Sequence, residues 1–188
     1  MLVAKVCVVG PPMSGKTYLC RLLAETEAAH CVYETTEGVR IQELHRKVGN
    51  DSVNVQLWDC SGNPKYQSCL PAMAKDCNGL ILVYNCEQGD QESELEKWYQ
   101  ALSSAGMGNL ITSLVRIIAI KLSSGPARRE YAMQGKMKRL HHTTLVLPPN
   151  PLEAKEGTSV ALQELDNLVE AIATRRKEKD EQSEGTEQ

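Results

Sequence analysis

Residues 10–17 read GPPMSGKT, a glycine-bounded turn that ends in a lysine and a hydroxyl residue. The spacing G-x-x-x-x-G-K-[ST] is suited to polyphosphate. Consecutive backbone N–H groups at a helix start form a cradle for anions, and glycine lets the chain close around it. Gly10, Met13, Ser14, Gly15, Lys16, Thr17 and Tyr18 are therefore candidate phosphate contacts. Lys16 offers its charge to the β- and γ-phosphates, and the Thr17 hydroxyl is a candidate ligand for Mg²⁺. Pro11 and Pro12 have no N–H to donate, so the run of donors begins at Met13.

Two other segments bring oxygens of the right kind. Asp59 ends an apolar run in WDCSGN, where a carboxylate can hold a Mg²⁺-bound water. Gly62, three residues on, lets its backbone N–H approach a γ-phosphate. In YETTEGVRI, Thr36 can give its hydroxyl to Mg²⁺ and its N–H to the same phosphate, with Thr35 the adjacent alternative. The candidate metal set is thus Thr17, Thr36 and Asp59. Contacts of this sort exist only with a triphosphate bound, so the Thr36 loop is a candidate switch. Asn63 is the candidate catalytic residue, a carboxamide placed to orient a water.

These residues need a rigid frame. Residues 3–9 and 79–85 are apolar runs that fit buried strands, and 114–120 is a third. Residues 38–44 and 52–58 read as a strand pair with HRKVGND between them, and a last strand is expected within 140–147. Helices are expected over 14–25, 64–75 and 90–102, the last capped by Asp90. A final helix with Leu162, Leu165, Leu168, Val169 and Ile172 inward is expected to start at Thr158 or Ser159. Residues 123–139 read as loop with one short helix at most. Alternating strands and helices predict an α/β fold with a mostly parallel central sheet flanked by helices, its ligand site at the carboxyl ends of the strands. One domain over 1–176 and a charged, mobile tail over 177–188 are expected.

Bulk properties narrow the class. A net charge of −3 removes the overall basic field that nucleic acid needs, and 4% aromatics with no Phe leaves few stacking platforms. The seven cysteines form no C-x-x-C pair and read as buried free thiols. Leu2 is incompatible with myristoylation, and SEGTEQ at the end has no cysteine to prenylate, so no direct membrane anchor is expected.

The phosphate loop, TEGV and WDCSG together resemble a P-loop small GTPase of the Ras superfamily, nearest the Rab and Arf branches. EGVRIQE, WDCSGNPKYQSC followed by PA and KD, and EKWY resemble more closely the Rab-like small GTPase subunit (Rab-like five) of the intraflagellar transport B complex. The likeness is dense from residue 1 to about 85 and thins after 120. It implies GTP or GDP with Mg²⁺ as ligands. It also implies coiled-coil subunits of the intraflagellar transport B core as partners, and cytoplasm and cilium or flagellum as the setting.

Two departures from the pattern matter. Family members read guanine with N-K-x-D, and the Asp accepts two hydrogen bonds from the base. Here AIKLSS keeps Lys121 but puts Ile120 for the Asn and Ser123 for the Asp. Two charge-assisted bonds are worth roughly 3–6 kcal/mol, so base identity is open to test. HTTL at 142–145 is the candidate for the family's S-A-K loop. Asn63 stands where family members carry Gln, with a stem one methylene shorter. The expectation is a triphosphate-stabilised docking module with weak hydrolysis. Its rivals are a cycling GTPase switched by a partner, a Rab-type trafficking GTPase, and a P-loop kinase with ARRE at 127–130 as its lid.

Overall fold

The structure is a computed structural model and describes residues 2–24, 34–107, 110, 112–122, 133, 135–147 and 154–184. Six strands, β1 (Leu2–Val9), β2 (Val39–Val48), β3 (Asp51–Cys60), β4 (Gly79–Asn85), β5 (Val115–Lys121) and β6 (His141–Val146), form one sheet in the order β2-β3-β1-β4-β5-β6. Only β2 runs antiparallel to its neighbour; β3, β1, β4, β5 and β6 are parallel. The chain leaves β1 toward the β2 edge and leaves the adjacent β4 toward the β6 edge. The loop after β1 therefore sits at the switch point where open α/β sheets bind ligands.

Each sheet face has its own apolar layer. Leu19, Leu22 and Leu23 of α1 (Lys16–Leu23) and Leu165, Leu168 and Ile172 of α4 (Lys155–Glu184) pack on the side of Val6, Val8, Val55 and Leu57. Leu70 and Met73 of α2 (Leu70–Ala74) and Leu95, Trp98 and Leu102 of α3 (Gln91–Ser104) pack on the side of Cys7, Val9, Leu82 and Ile117. β4 and β5 are buried at every residue, as their largely apolar sequences predict, and Asn85, Arg116 and Lys121 are buried with them.

Several expectations are corrected. HRKV does not belong to the hairpin loop: β2 runs on to Val48 and only Gly49 and Asn50 turn. Arg46 makes the longer strand favourable, because its guanidinium bonds both Asp166 carboxylate oxygens of α4 at 2.6 Å. Asp90 takes a left-handed conformation, φ 72°, and makes no side-chain cap; Ser93 bonds its carbonyl instead. α4 begins at Lys155, ahead of Thr158, whose hydroxyl bonds back to the Ala154 carbonyl. Gly157 permits that early start, since a Cβ there would lie 2.2 Å from the Val146 carbonyl oxygen.

In place of the expected mobile tail, the charged segment from 177 continues α4 to Glu184. Its Lys, Glu and Gln are good helix formers, and Lys177 meets Asp51 at 2.8 Å while Arg175 meets Glu178 at 3.0 Å. HTTL lies within β6 and is not a loop, because residues 142–145 pair with 117–120 of β5. Cys7, Cys20 and Cys60 are buried free thiols, but Cys69 is exposed in the 3₁₀ turn Pro64–Cys69. Among the described residues no helix is long and apolar enough to cross a membrane.

Candidate functional site

The phosphate loop takes the shape its glycines allow. Met13 and Gly15 are left-handed at φ 57° and 90°, which turns successive peptide planes toward one side. A Cβ on Gly15 would meet Ile120 at 2.8 Å, so the side chain in the place of the family's Asn packs directly on the loop. Lys16 starts α1 and is buried, and its ammonium donates to the carbonyls of Gly10 (2.9 Å) and Pro11 (2.6 Å) and to Ser14 Oγ (3.2 Å). Burial pushes its pKa down to about 8, against the pull of Asp59 that favours the charged form.

Thr17, Thr36 and Asp59 converge as predicted. Thr17 Oγ1 donates to Asp59 Oδ2 at 2.7 Å, Thr36 Oγ1 lies 3.2 Å from the same oxygen, and the two hydroxyls are 2.8 Å apart. Thr36, and not Thr35, is thus the threonine that meets Thr17 and Asp59. Burial raises the Asp59 carboxyl above the usual range, while bonds from Thr17 and Thr36 and the charge of Lys16 oppose it. Asp59 Oδ1 is buried and has no hydrogen-bond partner among the described residues. Hard oxygens from one carboxylate and two hydroxyls suit Mg²⁺, which keeps several waters and shares its shell with phosphates. The residues therefore fit the ion. Bound there, Mg²⁺ supplies charge neutralisation for phosphate oxygens.

A cavity of about 330 Å³ opens beside this cluster. Met13, Ser14, Gly15, Lys16, Thr17, Tyr18, Thr36, Gly62 and Asn63 line it, while Gly10 stands behind as a carbonyl acceptor for Lys16. Gly62 presses on the loop: a Cβ there would lie 2.6 Å from Pro11 C and Pro12 N. The Gly62→Ala variant is accordingly expected to spread the phosphate loop and weaken Mg·GTP binding about 10-fold. Calorimetry checks this, and wild-type affinity would refute the packing argument.

Asn63 reaches the cavity but is already engaged. Its side-chain oxygen accepts from Lys65 N at 3.0 Å and caps the 3₁₀ turn, and its own N–H donates to Ser61 Oγ at 3.2 Å. Lys121 is buried at the end of β5 and does not line the phosphate cavity. Ser123 and the ARRE stretch at 127–130 lie outside the described residues. Two contributors carried no motif signal: Ser61, and Gln91, whose amide bonds the Pro12 carbonyl at 3.0 Å.

Comparison with known proteins decides the family. A family model described as Ras of Complex, Roc, domain of DAPkinase matches residues 5–120. Over 178 residues the chain is 37% identical to intraflagellar transport protein 22 of Chlamydomonas reinhardtii, covering 93% of this chain and 91% of that protein. The chain belongs to the intraflagellar transport protein 22 family. Other members are the homologs of Danio rerio, 40% identical over 57% of this chain and 61% of theirs, and of Homo sapiens, 40% identical over 53% and 56%. Measured on this member of the intraflagellar transport protein 22 family, the Roc match ends at residue 120, where the N-K-x-D pattern fails.

Proposed function

We propose that the chain is a GTP- and Mg²⁺-binding subunit of the intraflagellar transport B complex that acts in cilium or flagellum assembly as a triphosphate-stabilised docking module. The observation that carries this is the meeting of Thr36 with Thr17 and Asp59. Thr36 belongs to the segment leading into β2, and Thr17 and Asp59 belong to the phosphate side of the sheet. Thr17, Thr36 and Asp59 would hold Mg²⁺ beside a γ-phosphate, and that hold would fix the outer surface of the segment. Ligand that binds only the folded state also stabilises it, by about 2.7 kcal/mol at a hundred times Kd.

The partners in this reading are the coiled-coil subunits of the transport core, and the names of the relatives support the cilium as the setting. Hydrolysis is slow because Asn63 spends its amide oxygen as a cap. The test is to denature the purified protein and identify the nucleotide released, by chromatography. GTP is the expected species. ATP rejects the guanine assignment, and GDP as the main species after long storage in GTP favours a cycling switch.

A further inference from the structure

Gly10 and Pro11 offer their carbonyls to Lys16, whose three N–H donors also serve Ser14 and would be shared with phosphate. Pro12 is different. Its carbonyl accepts from Gln91 Nε2 at 3.0 Å, across 79 residues of sequence. Gln91 is the first residue of α3 and only 5% exposed. Its Oε1 accepts from Asn85 N at 2.8 Å, and its amide nitrogen also donates to Gln88 Oε1 at 2.8 Å. The orientation of the amide is fixed by its partners, since the Pro12 carbonyl can only accept and the Asn85 N–H can only donate.

The strap is anchored at its other end too. Asn85, 3% exposed, accepts from Glu87 N at 2.8 Å, and Glu87 accepts from Leu122 N at 2.9 Å, just past β5. Residues 85–91 therefore tie the phosphate loop to the segment that follows Lys121. A loop with two prolines lacks two N–H groups for holding itself, and an outside donor to its carbonyl replaces them.

We infer that Gln91 is the positioning residue of the phosphate loop: it holds the Pro12 peptide so that the donors from Met13 onward stay aimed at polyphosphate. This rests on the nucleotide-binding reading above. It concerns a residue that touches the loop and not the ligand.

The test uses the full chain with Mg·GTP and reads two quantities: Kd, and the ³¹P resonance of the bound β-phosphate. Gln91→Glu keeps an acceptor for Asn85 N and removes both donors. It is expected to raise Kd about 5- to 10-fold and to shift the resonance. Gln88→Ala, at a half-exposed side chain, removes the acceptor that steadies the Gln91 amide. It is expected to raise Kd about 2-fold and shift the resonance in the same direction, at the lower end of a hydrogen bond's net worth. An unmoved resonance overturns the inference, including when the thermal midpoint falls, because that marks a merely structural role. If Gln91→Glu does not fold, the resonance of Gln88→Ala decides in its place. A wild-type chain that fails to bind Mg·GTP overturns the nucleotide reading together with this one. Wild-type binding with unresponsive variants overturns this one alone.

Discussion

Lys16→Ala is expected to weaken Mg·GTP binding by about 10²- to 10⁴-fold, the loss of two charge-assisted bonds to phosphate oxygens at about 1.5–3 kcal/mol each. Isothermal titration measures it, and the same variant should lose the rise in thermal midpoint that nucleotide gives the wild type. The argument starts from burial. Lys16 is 6% exposed, and among the described residues its ammonium meets two carbonyls, one hydroxyl and the charge of the neighbouring Asp59. That environment lowers its pKa from 10.5 to about 8.

The sign of the pH effect follows. Between the folded value near 8 and the unfolded value of 10.5, the unfolded chain binds more protons at this site, so the free protein gains stability as pH rises through the window. Polyphosphate does the opposite. It prefers the charged lysine, so affinity falls as pH rises above about 8. The buried thiols Cys7 and Cys20 and the half-buried Cys77 are held above their ordinary 9.0 and lower stability as pH rises past that value. The difference between wild type and Lys16→Ala over roughly pH 7.5–9, a window that brackets the folded lysine value near 8, isolates the lysine. Equal affinity of the two chains, or parallel pH profiles, would sink the assignment of Lys16 to phosphate.

What the chain alone makes legible is what short-range chemistry dictates. The turn at 10–17 needs a glycine locally, because Gly15 is left-handed at φ 90°. β4 and β5 announce themselves because a strand covered on both faces is apolar at most positions. Thr17, Thr36 and Asp59 are legible because only hard oxygens suit Mg²⁺ and each stands beside an element end.

Features fixed by distant partners are not legible. β2 extends through Arg46 because Asp166, 120 residues later, receives its guanidinium. Gln91 reads as an ordinary first-turn residue until Pro12 is placed beside it. In each case the partner is a polar group whose position depends on the finished sheet, and no local pattern encodes it.

The second large effect is expected at Asn63. Single-turnover hydrolysis of GTP by the wild type should run no faster than ~10⁻⁴ s⁻¹, the scale of unaided Ras-type chemistry, and Asn63→Gln should accelerate it about 10- to 100-fold. Two restraints act together. The Asn stem is one methylene short, and an error of about 1 Å in placing a catalytic group costs on the order of 10²-fold. The amide oxygen is also occupied by Lys65 N at 3.0 Å, so turning toward a water breaks a cap worth about 1 kcal/mol. Pro64, next in the chain, stiffens the turn that the amide would have to leave. Gln at this position caps poorly and reaches further, so the faster variant should also be the less stable one, by about 1 kcal/mol in urea unfolding. Asn63→Asp separates the two restraints: it keeps a capping oxygen, loses the N–H₂ donor, and should hydrolyse no faster than wild type. If the wild type already matches Asn63→Gln in single turnover, the amide is not restrained by its cap. The chain is then a cycling enzyme, and the docking reading loses its chemical basis.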